Sequence, residues 1–199
     1  MLGFQYALWA YTEVHLGFRT FLCAMTLAQR FTTEYVDFED RIRVSHQLDS
    51  GEVVVTWLTR RLTDRLVAHL TTWLEKETEQ IPRADVVQSF AQEAAALKLA
   101  QAAATQPQAA VQPPPLPVAW LVREIDINTE TAGVGLQLRG ASPHEKQQLG
   151  LSRLQLRQWL NIIRSQYLLA QWLLSAWPDW LQPNEASCVS AQASGPALH

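Results

Sequence analysis

Cysteine is scarce in this chain, and its scarcity excludes two common ways of stabilising a small fold. Among 199 residues there are only Cys23 and Cys188, far apart in the sequence. One possible bridge does not make a disulfide framework, so we expect a reducing compartment, the cytoplasm. Neither cysteine has a second cysteine or a histidine at metal-ligand spacing, so no structural zinc site is predicted.

Excess positive charge and clustered glycine are also lacking. Lysine and arginine total 16 against 19 acidic residues, and the resulting net charge of −3 argues against a general nucleic-acid binder. The eight glycines are scattered, and the short run at 133–135 lacks the following helix that a dinucleotide fingerprint requires. The sequence therefore predicts no phosphate-binding loop and no cofactor.

Catalytic motifs are absent as well. The sequence has no His-Glu-x-x-His, no serine elbow and no cysteine with an obvious histidine partner. His46, with Glu124 or Asp126 as its partner, is the one nomination for a site assembled from scattered residues. We prefer to interpret His46 as a core histidine whose polar atoms are satisfied. We therefore expect a protein that is not an enzyme and that binds no metal.

No uninterrupted apolar run reaches the 20 or so residues that a transmembrane helix needs. Residues 1–24 are apolar and aromatic, but no basic residue precedes Arg19, and Glu13 and His15 interrupt the run. This segment fits neither a secretory signal nor a membrane span. Because Met25 opens a stretch typical of a cytosolic N-terminus, we hypothesise that residues 1–24 are an extension from a misplaced start.

What the sequence does contain is 48% apolar residues, arranged with the periods of strands and helices. Residues 41–48 alternate between apolar and polar, which predicts a half-buried strand. Gly51 lies in a turn, and the β-branched residues of 52–58 predict the returning strand of a hairpin. Thr59 then occupies an N-cap position, and a leucine-rich helix follows to about Glu77.

Residues 84–104 are rich in alanine and glutamine, which favour a helix. Its apolar stripe is thin, with little area for packing, and consists of Val87, Phe90, Ala94 and Leu97. The helix leads into a segment with three consecutive prolines and Pro117, which predicts a semi-rigid linker in polyproline II geometry. A linker is our preferred interpretation of residues 114–117, although such a segment can also bind an aromatic groove.

The first pattern returns after the linker. Residues 120–128 and 133–139 each alternate as strands do, and a loop through Pro143 is expected to follow them. Ser152 occupies an N-cap position, and a long helix is predicted from about Arg153 to Ala176. Pro178 is expected to end that helix, because the residue before a proline resists helical angles.

This order predicts an α+β fold in which two ββα units form one antiparallel four-stranded sheet with both helices packed on one face. Two loosely tethered lobes are the alternative. The expected organisation is an N-terminal extension, a first hairpin–helix unit, an alanine- and proline-rich connection, a second hairpin–helix unit and a disordered tail. Their respective ranges are 1–24, 25–80, 81–117, 118–182 and 183–199.

Charged clusters suggest two further sites, each with a simpler explanation. Possible phosphate contacts, which would make the protein a small single-stranded nucleic-acid binder, are Arg41, Arg43, Arg60, Arg61 and Arg65. The acidic residues Glu34, Asp37, Glu39 and Asp40 could attract a hard cation, but they lack the spacing of a calcium loop. We prefer to interpret both groups as charged, solvated surface.

Aromatic residues are concentrated near the C-terminus, at Trp159, Tyr167, Trp172, Trp177 and Trp180. This is more apolar area than one buried stripe requires, and tryptophan and tyrosine are favoured anchors in protein interfaces. The sequence therefore predicts a non-enzymatic interaction module of the bacterial cytosol. We expect it to self-associate, with a homodimer as one form, or to bind a partner protein through these residues.

Overall fold

The computed structural model describes residues 7–9 and 28–181. Within them lie eight strands and three α-helices. The strands are β1 (Ala7–Trp9), β2 (Ala28–Val36), β3 (Arg41–Leu48), β4 (Val53–Leu58), β5 (Val118–Leu121), β6 (Glu124–Glu130), β7 (Gly133–Arg139) and β8 (Lys146–Ser152); the helices are α1 (Arg60–Lys76), α2 (Ala84–Thr105) and α3 (Arg153–Leu169). Of residues 1–24, only Ala7–Trp9 are described, and they pair with β2. The rest of the proposed extension and the tail at 183–199, for which disorder is expected, lie outside the described residues.

The strands form two sheets, so the fold is α+β, but the prediction of one antiparallel four-stranded sheet is wrong. The first sheet has the order β1-β2-β3-β4-β5, and β5 runs parallel to β4. The second sheet is antiparallel, with the order β6-β7-β8. A parallel pair needs a long crossover connection. Here that connection is α1, α2 and the proline-rich segment, which together separate β4 from β5.

The predicted strand over residues 120–128 is divided between the two sheets. The backbone N–H of Val122 donates to the carbonyl oxygen of Trp57, at the edge of the first sheet. The next N–H, of Arg123, donates to the carbonyl oxygen of Arg139 in the second sheet. The chain therefore changes partner between two adjacent residues, a change that a continuous alternating pattern does not reveal.

Each hairpin that was predicted before α1 and α3 has a further antiparallel strand beside it. The strand β2 pairs with β3 so that Phe31 lies opposite His46, and β8 pairs with β7 so that Leu149 lies opposite Leu136. The prediction missed both β2 and β8. In β8, Gln147, Leu149 and Leu151 lie on the buried face and alternate with Lys146, Gln148 and Gly150. This pattern is a weak strand signal, because one buried position is polar and glycine is uncommon in strands.

The local predictions around the first hairpin and the helix starts are confirmed. Strands β3 and β4 form the antiparallel hairpin, and Gly51 in its turn has a positive φ of 83°. The side chain of Thr59 accepts a hydrogen bond from the backbone N–H of Leu62 and caps α1. Ser152 caps α3 in a capping box with Gln155. These features are confirmed because each depends on residues close together in the sequence.

One hydrophobic core joins the two halves of the chain, with side chains from both sheets, α1 and α3. The indole N–H of Trp159, on α3, donates to the hydroxyl of Thr33 on β2 over 3.0 Å, and the Trp159 ring meets Phe31 edge to face. The backbone N–H of Tyr35 donates to the side-chain oxygen of Gln166 over 2.8 Å. The helix of the second half thus packs directly on the sheet of the first.

Helix α3 ends at Leu169, well before the predicted end at Ala176. Gln171 has a φ of 55°, in the left-handed region. Its N–H donates to the carbonyl of Leu168, and the N–H of Trp172 donates to the carbonyl of Tyr167. These two bonds are those of a Schellman motif, which reverses the chain at a helix end. The motif usually contains glycine, so its sequence signal is missing here.

We predict that Gln171→Gly stabilises the protein, because glycine adopts the left-handed region without a steric cost from Cβ. The free energy of unfolding, measured by urea denaturation, should rise by about 0.5–1 kcal/mol. The control is Ala170→Gly, since Ala170 has right-handed angles and should lose stability. A loss of stability in Gln171→Gly would contradict the assignment of the motif.

Candidate interaction surface

The five aromatic residues near the C-terminus, proposed as partner contacts, are buried within the protein itself. None of Trp159, Tyr167, Trp172, Trp177 and Trp180 is more than 8% exposed. The premise that these rings exceed what the fold can cover is therefore wrong. Two sheets surround them instead of one, and the chain folds back after α3 so that the last rings pack on the body.

The hydrogen bonds of these indoles show why they belong to the core. The Nε1–H of Trp172 donates to a carboxylate oxygen of Asp40 over 3.0 Å, at the turn between β2 and β3. That of Trp180 donates to Glu75 of α1 over 2.7 Å. A buried indole N–H normally needs such a partner. These bonds tie the segment after α3 to other elements.

Tyr167 lies at the centre of this arrangement. Its hydroxyl donates to Asp64 of α1 over 2.8 Å, and its ring meets those of Trp172 and Trp177 edge to face at 5.0 and 5.3 Å. Burial, together with the hydrogen bond to Asp64, raises the pKa of Tyr167. The phenol therefore stays protonated at neutral pH and acts as a donor that holds α3 against α1.

Four apolar side chains along α2 face outward, although Ala95 is buried and Leu99 packs against the core. Phe90 is 67% exposed, Leu97 57% and Val87 38%, and Ala94 between them is also exposed. These four residues, named here the α2 stripe, are those whose spacing predicted the apolar face of this helix. A helix in a folded domain normally turns such a face to the core. Here it is left uncovered by the described part of the chain.

Polar contacts on the opposite face set this orientation. The side-chain N–H groups of Gln88 donate to the carbonyl of Leu74 over 2.6 Å and to the hydroxyl of Thr78 over 2.9 Å. Gln92 donates to the backbone carbonyl of Arg157 over 2.9 Å, and the Arg157 guanidinium donates to the oxygen of Gln88. Gln88 and Gln92 are buried, so α2 is fixed by its amides.

A second exposed apolar group lies at the end of α3. Leu168, Leu169 and Leu173 are 53%, 62% and 70% exposed. They lie at the point where the chain reverses, so they form a cap at the end of the helix and not a continuous stripe along it. The longer exposed apolar surface is therefore that of α2.

The arginines proposed as phosphate contacts are mostly engaged with carboxylates. Arg43 donates to Glu34 through Nε over 2.6 Å and stacks above Trp57 with 5.9 Å to the ring centroid. Arg41 and Arg60 lie 3.7 Å from Glu39 and Asp64 respectively. Arg61 and Arg65 are exposed on α1, and within residues 28–181 neither has an ion-pair partner. Little unpaired positive charge is left for a phosphate surface.

The acidic residues proposed as a cation site have protein partners. Glu34 binds Arg43, Glu39 binds Arg41, and Asp40 accepts hydrogen bonds from the hydroxyl of Tyr35 and from Trp172. No cluster of three or more metal-ligating side chains occurs among the residues that the structure describes. The group, which includes Asp37, forms the charged turn between β2 and β3.

His46 and its nominated carboxylate partners lie in different sheets. His46 is fully buried in β3, and its Nε2 lies 2.8 Å from the hydroxyl of Thr56. Glu124 and Asp126 are in β6, where they bind Arg139 over 3.2 and 2.7 Å. These carboxylates are therefore paired within the second sheet and not with His46, which belongs to the first. His46 is therefore a core residue, as expected, but the expectation that its polar atoms are satisfied is wrong, because its Nδ1 is buried with no hydrogen-bond partner in the described part of the chain.

Comparison with protein-family models, with curated proteins and with solved structures finds no match. Within the described ranges, the helices are too short or too polar to cross a membrane. Inference about function therefore depends on the surface of the protein itself.

We predict that His46 makes the stability dependent on pH. Burial lowers its pKa to about 3 in the folded state, whereas an unfolded histidine has a pKa of about 6.5. Between these values only the unfolded state binds the proton, so the free energy of unfolding falls as the pH decreases from about 6.5 towards 3. The contribution is about 1.4 kcal/mol per pH unit.

Urea denaturation of the wild type and of His46→Leu between pH 7 and pH 5 measures this effect as a difference. The stability advantage of the wild type over the variant should shrink by about 2 kcal/mol over that range. His69→Leu is the control, since His69 is exposed on α1. Parallel pH curves for the wild type and His46→Leu would refute the assignment.

We also predict that Tyr167→Phe destabilises the protein, because it removes the hydrogen bond from the Tyr167 hydroxyl to Asp64. The expected loss, measured by urea denaturation, is about 1–2 kcal/mol. Tyr35→Phe is the matched control, because the hydroxyl of Tyr35 bonds Asp40 at an exposed position and should matter less. Equal losses in the two variants would contradict a central role for Tyr167.

Proposed function

We propose that this protein is a non-enzymatic protein-interaction module whose docking surface is the α2 stripe. One observation carries the proposal: α2 buries Gln88 and Gln92 and leaves Phe90 and Leu97 exposed. An exposed apolar face on a helix is a typical recognition surface for another helix or a groove. The aromatic residues after Trp159 are not part of this surface, since they lie in the core.

The energy available from the α2 stripe supports docking. Full burial of one large apolar side chain contributes about 1.5–3 kcal/mol, and Phe90, Leu97 and Val87 each have area to lose. Alanine at position 94 allows a partner backbone to approach closely. These side chains therefore supply part of the free energy of docking, and contacts around the stripe must supply the rest, because association costs about 4–15 kcal/mol in lost freedom of motion.

Rigid presentation of the stripe is the second support. Helix α2 is 22 residues long, and its inward face is held by Gln88, Gln92 and Arg157 before any partner arrives. A preorganised surface loses little conformational entropy on binding. We include a cytosolic location in the proposal, which the low cysteine content favours.

Site-specific photo-crosslinking in the source cells tests the proposal. A photoreactive phenylalanine replaces Phe90 in one variant and Thr72, an exposed residue of α1, in the control. We expect a protein cross-link from position 90 and none from position 72. The proposal is rejected if position 90 forms no cross-link, or if both positions do so equally.

A further inference from the structure

We propose that the occupant of the α2 stripe is a second copy of this chain, with the two α2 helices parallel about a two-fold axis. The inference rests on the proposed function and names its partner. The exposed residues Val87, Phe90, Ala94 and Leu97 follow one another at steps of three, four and three. This is the spacing of the a and d positions of a coiled coil.

Two opposite charges flank the stripe. With about 100° per residue, Glu93 and Lys98 lie on opposite sides of the stripe, each about 70° from its centre. Both side chains are exposed. If Val87 is an a position, Glu93 is at g and Lys98 at e of the following heptad, and e and g residues set partner choice and orientation in coiled coils.

These charges favour a parallel pair of identical helices. In a parallel pair, g of one helix faces e of the next heptad of the other, so Glu93 meets Lys98 of the copy, and symmetry repeats the contact. In an antiparallel pair, g faces g and e faces e, which places Glu93 against Glu93 and Lys98 against Lys98. Surface ion pairs are weak, so they select the orientation while the apolar stripe provides affinity.

The rest of α2 is compatible with this arrangement. The residues that face the body of the protein, Gln88, Gln92 and Ala95, occupy b and f positions of the same heptads, so the two bodies lie on the outer sides of the helix pair. The next a position is Gln101, which is exposed. A polar residue at one a position specifies register at a cost in stability. A two-fold pair of this kind is closed, which favours a dimer over a filament.

Sedimentation velocity of the full chain over a range of micromolar concentrations tests the dimer. We expect a reversible monomer–dimer equilibrium, and Leu97→Glu should raise the dissociation constant about 10- to 100-fold because it removes an apolar anchor. Leu168→Glu is the matched control, since Leu168 is a similarly exposed leucine on α3 and should leave the equilibrium unchanged. A dimer that is weakened equally by both substitutions, or by neither, overturns the proposal.

Charge exchange tests the parallel orientation. Glu93→Lys alone should weaken the dimer about fivefold, because two attractive contacts become repulsive, and high salt should reduce the difference. The double variant Glu93→Lys/Lys98→Glu should restore the wild-type dissociation constant. In an antiparallel dimer Glu93→Lys exchanges one repulsion for another, so an unchanged dissociation constant overturns the parallel arrangement.

The crosslinking experiment separates this inference from the proposed function. A product from position 90 at twice the mass of the chain supports both. A product with a different protein, together with a monomer in sedimentation, supports the proposed function and overturns the self-association. If position 90 forms no cross-link and sedimentation shows no dimer, the proposed function and the self-association are both refuted.

Discussion

Arg157 is the contact on which the orientation of the exposed surface depends. Its guanidinium donates to Gln88 and stacks above Trp180 at 5.5 Å from the ring centroid, while its backbone carbonyl accepts from Gln92. One residue of α3 therefore connects α2 to α3 and to the segment that follows it. A buried amide without such partners is costly, so α2 cannot rotate its apolar face inward without leaving these groups unsatisfied.

The same physical chemistry explains why the tryptophans do not form the interface. Apolar side chains are buried where other elements provide a surface to pack against. Here β2, β8 and the reversed segment after Gln171 provide more packing surface than two hairpins could. The indole N–H groups of Trp159, Trp172 and Trp180 find acceptors on β2, on the following turn and on α1, whereas that of Trp177 has no acceptor among the described residues. A count of aromatic residues measures how much area must be covered and carries no information about which elements cover it.

The α2 stripe illustrates the reverse case. Its residues are few, with one aromatic ring and an alanine, yet the fold leaves them at the surface in a row along one helix. Because polar contacts hold this helix in place, its apolar side chains can stay accessible to a partner while the domain remains stable. In the proposed dimer, the heptad spacing and the flanking Glu93 and Lys98 set the orientation of the two helices.

The sequence by itself determined the features whose physics is local: the hairpin around Gly51, the caps at Thr59 and Ser152, and the extent of α2. Each depends on residues within a few positions of one another. Only the tertiary structure decided the sheet to which residues 124–130 belong, the end of α3, and the side of α2 that faces solvent. Periodicity shows that a face is apolar, but burial of that face depends on distant elements and on where buried polar groups find partners.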